Sequence, residues 1–347
     1  MIHAGGAAKI QAAGGVRSLV FEASTPLQLA NGQSLSPLTI AFETYGALNV
    51  DRSNAVMVCH GLTGDQFVAS PNPITGRPAW WPRVVGPGRP IDTNRFFVVC
   101  SNVLGGSMGS TGPSSLTSDG QPYGVRFPAI TIADSVRAQS MLAEALGIES
   151  LFLVAGVGLG GMQALNWASA YPKRVFACAT VASSARHSAQ NLAFSELGRQ
   201  AIMADPAWRG GAYLSHGVRP AKGLSVARIA AHISDGSEAA LREKFERART
   251  DETLTFGLDA SHMLESFRQQ STSYVDRFDA NSFLYLSRAM DQFDLAADFG
   301  GNLANAFQSA STRHAVFSFS SDWRYPSEDS RAISRALIAA GAEAALA

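Results

Sequence analysis

The strongest constraint in this sequence is a set of short, almost wholly apolar runs. Asn54–Cys59 (NAVMVC), Arg95–Cys100 (RFFVVC), Ser150–Ala155 (SLFLVA) and Val175–Val181 (VFACATV) lack the alternation of a half-exposed strand. Such runs suit parallel strands covered on both faces. Pro37–Tyr45 reads as a further strand. Ile130–Leu146 has helical spacing, with Ile132, Val136, Gln139, Leu142 and Leu146 near one stripe. Thr131 and Asp134 fit a capping box at its start, and Gly147 fits a stop at its end. A second helix-like run covers Met162 to Ala170. Strands alternating with helices specify α/β layers.

From about His187 to Gly300 the strand-like runs cease. Amphipathic stretches such as Leu224–Ile233 and Glu238–Arg249 take their place, and then His314–Ser320 restores a strand and Ser327–Ala340 a helix. The expected organisation is a first α/β part over 1–186, a helical lid over 187–300 and a returning α/β part over 301–347. A chain of 347 residues accommodates one large α/β unit with an insertion. The Ala-rich tail from Ala336 stops abruptly.

Composition narrows the function. Lys+Arg and Asp+Glu both number 28, with no basic run, so a nucleic-acid partner is not indicated. A small-molecule partner is expected instead. The three cysteines, Cys59, Cys100 and Cys178, share no CxxC spacing and lie in apolar runs. They read as buried core thiols rather than a metal or disulfide framework. The first residues have no long apolar segment of the signal-peptide kind, and no run approaches the roughly 18–20 apolar residues of a membrane span. A soluble cytoplasmic protein is the expectation.

Gly156-Val157-Gly158-Leu159-Gly160-Gly161 follows a strand and opens a helix. Taken literally it satisfies G-x-G-x-x-G, in which glycines let a pyrophosphate approach a helix N-terminus. That reading makes the chain a dinucleotide-binding oxidoreductase. It also wants an acid about 20 residues on to hold the ribose, and the stretch there, ACATVASSAR, has none. The second reading is a nucleophile elbow, G-x-S-x-G, with glycine in place of the serine.

Around the elbow, GVGLGGMQAL resembles the homoserine O-acyltransferases. Further stretches carry the same resemblance in order: Phe42 to Gly46 (FETYG), His60 to Asp65 (HGLTGD), Asn102 to Gly106 (NVLGG) with Gly109 to Ser114, Arg277 to Ser282 (RFDANS), and Ser321-Asp322-Trp323 with Tyr325-Pro326. The resemblance spans about Leu38 to Ala340. It implies an α/β-hydrolase fold with a helical lid, its C-terminal strand and helix truncated. It also implies acyl transfer from acyl-CoA to the homoserine hydroxyl in methionine biosynthesis, no bound cofactor or metal, and a homodimer.

The resemblance implies roles residue by residue. The nucleophile position is Gly158, which has no side chain with which to attack. Asp322 matches the triad acid, and none of the seven histidines follows it. The backbone N–H groups of Leu62 and Leu159 match the oxyanion hole. Arg228 matches a lid arginine that holds the homoserine carboxylate, a task suited to a bidentate guanidinium. Arg324 matches a position that sets the acyl-CoA preference, where an arginine favours succinyl over acetyl. A chain lacking serine and histidine is expected to be catalytically impaired, and the alternative role is a non-catalytic binding or partner subunit.

Overall fold

A computed structural model describes residues 8–246, 275–308 and 311–347. Its frame is a nine-stranded sheet. The strands are β1 (Ala8–Ala13), β2 (Val16–Phe21), β3 (Leu38–Tyr45), β4 (Ala55–Cys59), β5 (Phe97–Ser101), β6 (Leu151–Val157), β7 (Val175–Val181), β8 (Arg313–Phe317) and β9 (Ala344–Leu346). Their order is β1-β2-β3-β5-β4-β6-β7-β8-β9. The first three strands pair antiparallel, as does β3 with β5, and every later pair is parallel.

The all-apolar runs form the parallel centre, as such runs must when both faces are covered. Every residue of β4 and β5 is buried. Met57, Val99 and Val154 face a core shared with α1 (Ile132–Ala145) and α2 (Leu159–Ala170). Val56, Val58 and Val98 face a second cluster with Val68 and Val85. All three cysteines are buried and unbridged. Burial pushes the thiols of Cys59 and Cys178 up to about 12, so they act as small apolar side chains.

The capping box forms as the sequence predicts. Asp134 N donates to Thr131 Oγ1 at 3.2 Å and Thr131 N to Asp134 Oδ2 at 2.8 Å. Gly147 then ends the helix with φ at 73°. Gln139, the polar member of the stripe, serves a buried network. It accepts from Trp167 Nε1 at 2.8 Å and donates to Gln163 Oε1 at 2.7 Å, binding α1 to α2.

Between β7 and β8 the described residues are helical: α3 (Ala189–Ala204), α4 (Ala221–Asp235), α5 (Glu238–Glu246) and α6 (Ala280–Asp291), with short 3-10 turns. The end of the Glu238–Arg249 stretch lies outside the described residues. An isolated antiparallel bridge between Arg186 and Asp294 closes the neck where this block leaves and rejoins the sheet. After β8 comes α7 (Ser327–Ala339). The Ala-rich tail does not merely stop: it turns at Gly341 and adds β9 beside β8, so the expectation of a lacking last strand is corrected. Among the described residues no helix is long and apolar enough to cross a membrane.

Candidate active site

The sharp turn from β6 into α2 carries Gly158 at φ 54° and ψ −114°. This is a region that L side chains avoid. The turn is braced on all sides. Gly158 N donates to the carbonyls of Val181 and Ala182, both at 3.1 Å, and Ser183 Oγ donates to Gly158 O at 2.7 Å.

The neighbouring glycines answer to packing. A Cβ on Gly156 would lie 2.0 Å from Gly160 O, one on Gly160 would lie 1.9 Å from Cys59 O, and one on Gly161 would lie 2.4 Å from Ser183 Cβ. The cluster therefore exists so that α2 can press against β4 and the loop after β7. This is a sufficient reason for the glycines without a pyrophosphate. Gly158 differs from its neighbours. A Cβ there would meet nothing nearer than Tyr325 Oη at 3.6 Å and Cε2 at 3.7 Å. The space fits a side chain, and only the backbone angle favours glycine.

Gly158 opens onto a cavity of about 290 Å³ lined by Gly61, Leu62, Thr63, Leu159, Asp322, Arg324 and Tyr325, with Ala231 and Met290 from the lid. So the structure brings together the elbow, the HGLTG loop and the Asp322 turn from three distant parts of the sequence. Leu159 is the first residue of α2, and a first-turn N–H has no partner inside its helix. The HGLTG loop is held by its own histidine. His60 is 2% exposed; its Nδ1 donates to Gly61 O at 2.8 Å and its Nε2 accepts from Val103 N at 3.1 Å. Burial holds its pKa below the usual imidazole value. Both ring nitrogens are engaged, so His60 is a neutral brace between two loops and not a proton acceptor. Arg277 adds a second brace, with Nη2 donating to Thr63 O at 2.8 Å.

Asp322 follows β8 and lines the cavity. Its Oδ1 accepts from Arg324 N at 2.9 Å and Tyr325 N at 2.8 Å, so one oxygen builds the turn. Burial raises its pKa, against the lowering effect of those amides and of the Arg324 guanidinium. Arg324 is buried and stands 6.0 Å from the centre of the Tyr325 ring. Arg228 lies on α4, half-buried, one turn before cavity-lining Ala231. It is not itself a lining residue.

Two features escaped the sequence reading. Tyr325 borders the space beside Gly158, which its Tyr-Pro context in the sequence does not imply. His187, buried at the start of the lid, donates from Nδ1 to Asp291 Oδ1 at 2.8 Å, and Arg199 Nη1 donates to Asp291 Oδ2 at 2.6 Å. No linear spacing joins His187 to a partner 104 residues away.

A mostly parallel sheet, a strained turn into the next helix and a helical block inserted before the acid-bearing turn define an α/β-hydrolase-fold protein, and the profile of the alpha/beta hydrolase fold matches residues 54–316. Closer relatives narrow this. The chain is 59% identical over 330 residues to a homoserine O-acetyltransferase of Caulobacter vibrioides (strain NA1000 / CB15N), covering 94% of this chain and 86% of that one. It is 60% identical over 327 residues to a homoserine O-acetyltransferase of Mesorhizobium japonicum, covering 93% and 84%. It therefore belongs to the homoserine O-acetyltransferase family. The crystal structure of homoserine O-acetyltransferase from Bacillus anthracis superimposes with a TM-score of 0.86 at 26% identity, covering 98% of this chain and 90% of that one.

Proposed function

We propose that this protein binds an acyl-CoA and homoserine in the cavity above Gly158, as a family member whose own turnover is impaired. The observation that carries this is a cavity lined by the HGLTG loop and by a strained strand-to-helix turn that has glycine at position 158. Acyl transfer through an acyl-enzyme needs a nucleophile, a base, a carboxylate to orient the base, and backbone N–H groups for the oxyanion. Leu62 and Leu159 N–H supply the last, and Asp322 the carboxylate. Gly158 supplies no nucleophile. Loss of the serine alone from a triad costs on the order of 10⁶ in kcat, about 8 kcal/mol of transition-state stabilisation. An oxyanion hole alone retains about 10³–10⁴ over water.

The donor is acetyl-CoA. The lean toward succinyl drawn from Arg324 is set aside, because relatives at 59% and 60% identity are named acetyltransferases. Arg228, one turn from Ala231 on the lid, takes the homoserine carboxylate. The same glycine supports a second reading, a non-catalytic subunit that holds ligand or pairs with a second protomer. Calorimetry with acetyl-CoA, succinyl-CoA and homoserine tests the proposal: acetyl-CoA and homoserine bind, and succinyl-CoA binds more weakly. Absence of heat from all three refutes it.

A further inference from the structure

Three segments of the lid meet at one buried carboxylate. Asp291 ends α6, and its side chain is 9% exposed. His187, on the strap that leaves β7, donates from Nδ1 to Asp291 Oδ1 at 2.8 Å. Arg199 of α3 donates from Nη1 to Asp291 Oδ2 at 2.6 Å. Each carboxylate oxygen therefore holds one segment against α6. Burial lowers the pKa of His187 against the pull of Asp291, and the charges of Arg324 and Arg199 lower it further, so the ring is neutral. Burial would raise the pKa of Asp291, but the bonds from His187 and Arg199 and the Arg199 charge hold it below the usual carboxylate value. The cluster is thus one ion pair with a neutral imidazole as second donor.

This cluster borders the acyl cavity on two sides. Met290, the residue before Asp291, lines the cavity from the lid. The His187 ring centre lies 6.2 Å from that of Tyr325, which lines the same cavity beside Gly158. A second ion pair on the neck of the lid makes the contrast. Arg186 and Asp294 meet at 3.4 Å with side chains 73% and 30% exposed. Exposed pairs contribute little, whereas removing one partner of a buried pair leaves an uncompensated charge. The buried cluster, and not the exposed pair, therefore resists separation of the three segments.

We propose, resting on the reading of this cavity as the acyl-CoA and homoserine site, that Asp291 is a positioning residue. With His187 and Arg199 it latches the lid wall that carries Met290 over the cavity. Calorimetry of the full chain with acetyl-CoA and homoserine is paired with hydrogen exchange, which needs no ligand. Asp291→Asn weakens binding of both ligands by about tenfold or more. Its α6 and strap amides quicken about tenfold or more relative to those of β4 and β5, as local opening requires. Arg199→Gln, a milder change that keeps a donor, gives the same split at smaller size. Arg186→Ala, which removes only the exposed pair, changes neither reading. Unchanged affinity in the folded variants at 291 and 199, or equal quickening of lid and sheet amides, overturns the proposal. Absence of binding by the wild type refutes the reading of the cavity instead, and the exchange rates still decide the latch.

Discussion

Tyr325 Oη lies 3.6 Å from the point that a Cβ on Gly158 would occupy. The elbow thus keeps room for the side chain it does not have. Gly158→Ser is expected to fold, with the strained φ costing about 1–3 kcal/mol and lowering the melting temperature by several degrees. A hydroxyl is a weak nucleophile until a base takes its proton, and His60, beside this cavity, has both ring nitrogens engaged, so CoA release by this variant is expected to stay at background. Thermal denaturation and a thiol assay for CoA check both halves.

Gly160 offers the opposite case. A Cβ there would sit 1.9 Å from Cys59 O, and backbone on both sides prevents relief. Gly160→Ala is expected to destabilise by more than about 4 kcal/mol, among the large effects reserved for core overpacking. Gly76→Ala is the control, since a Cβ there meets nothing within 4 Å and only φ, at +67°, is unfavourable. It costs about 1 kcal/mol. Urea denaturation distinguishes the two.

His314 supplies a pH prediction. Burial against Phe307 pushes its pKa down to about 4 from the ordinary 6.5. The folded chain holds the ring neutral, so its contribution is complete above the unfolded value and is lost as pH falls from 6.5 towards 4. The stability of the wild type relative to His314→Gln should therefore fall by up to about 3 kcal/mol across that range. Denaturation curves at several pH values read this difference. A flat difference refutes the assignment.

Arg228→Ala should weaken homoserine binding by about tenfold or more, the worth of a charged hydrogen bond. Acetyl-CoA affinity should hold. Parallel titrations of the two ligands check the split. Equal loss of both would show that the substitution disturbs the lid rather than one contact.

Much of the fold was legible because it follows from local rules. The Thr131–Asp134 box and the Gly147 stop fixed α1, and the apolar run Val175–Val181 is β7 residue for residue. The β1–β2 hairpin carries a turn signal in Gly14 and Gly15, at φ 57° and 79°, but β1 is mostly exposed and lacks an apolar run to mark it as a strand. β9 has only three residues and two of them are alanine, so it carries no strand signature. At the site, loop motifs marked the Gly158 turn and the HGLTG loop, which the fold brings to one cavity. Contacts set by tertiary folding, such as His187 with Asp291 and Arg277 with Thr63, leave no periodic trace.

A continuous assay of CoA release from acetyl-CoA, with homoserine present and the wild-type chain as sole catalyst, bears most directly on the account. The predicted result is saturable uptake of both ligands by the cavity with CoA appearing no faster than an oxyanion hole alone allows. Turnover at about 1–10³ per second, the range of ordinary enzymes, would contradict it.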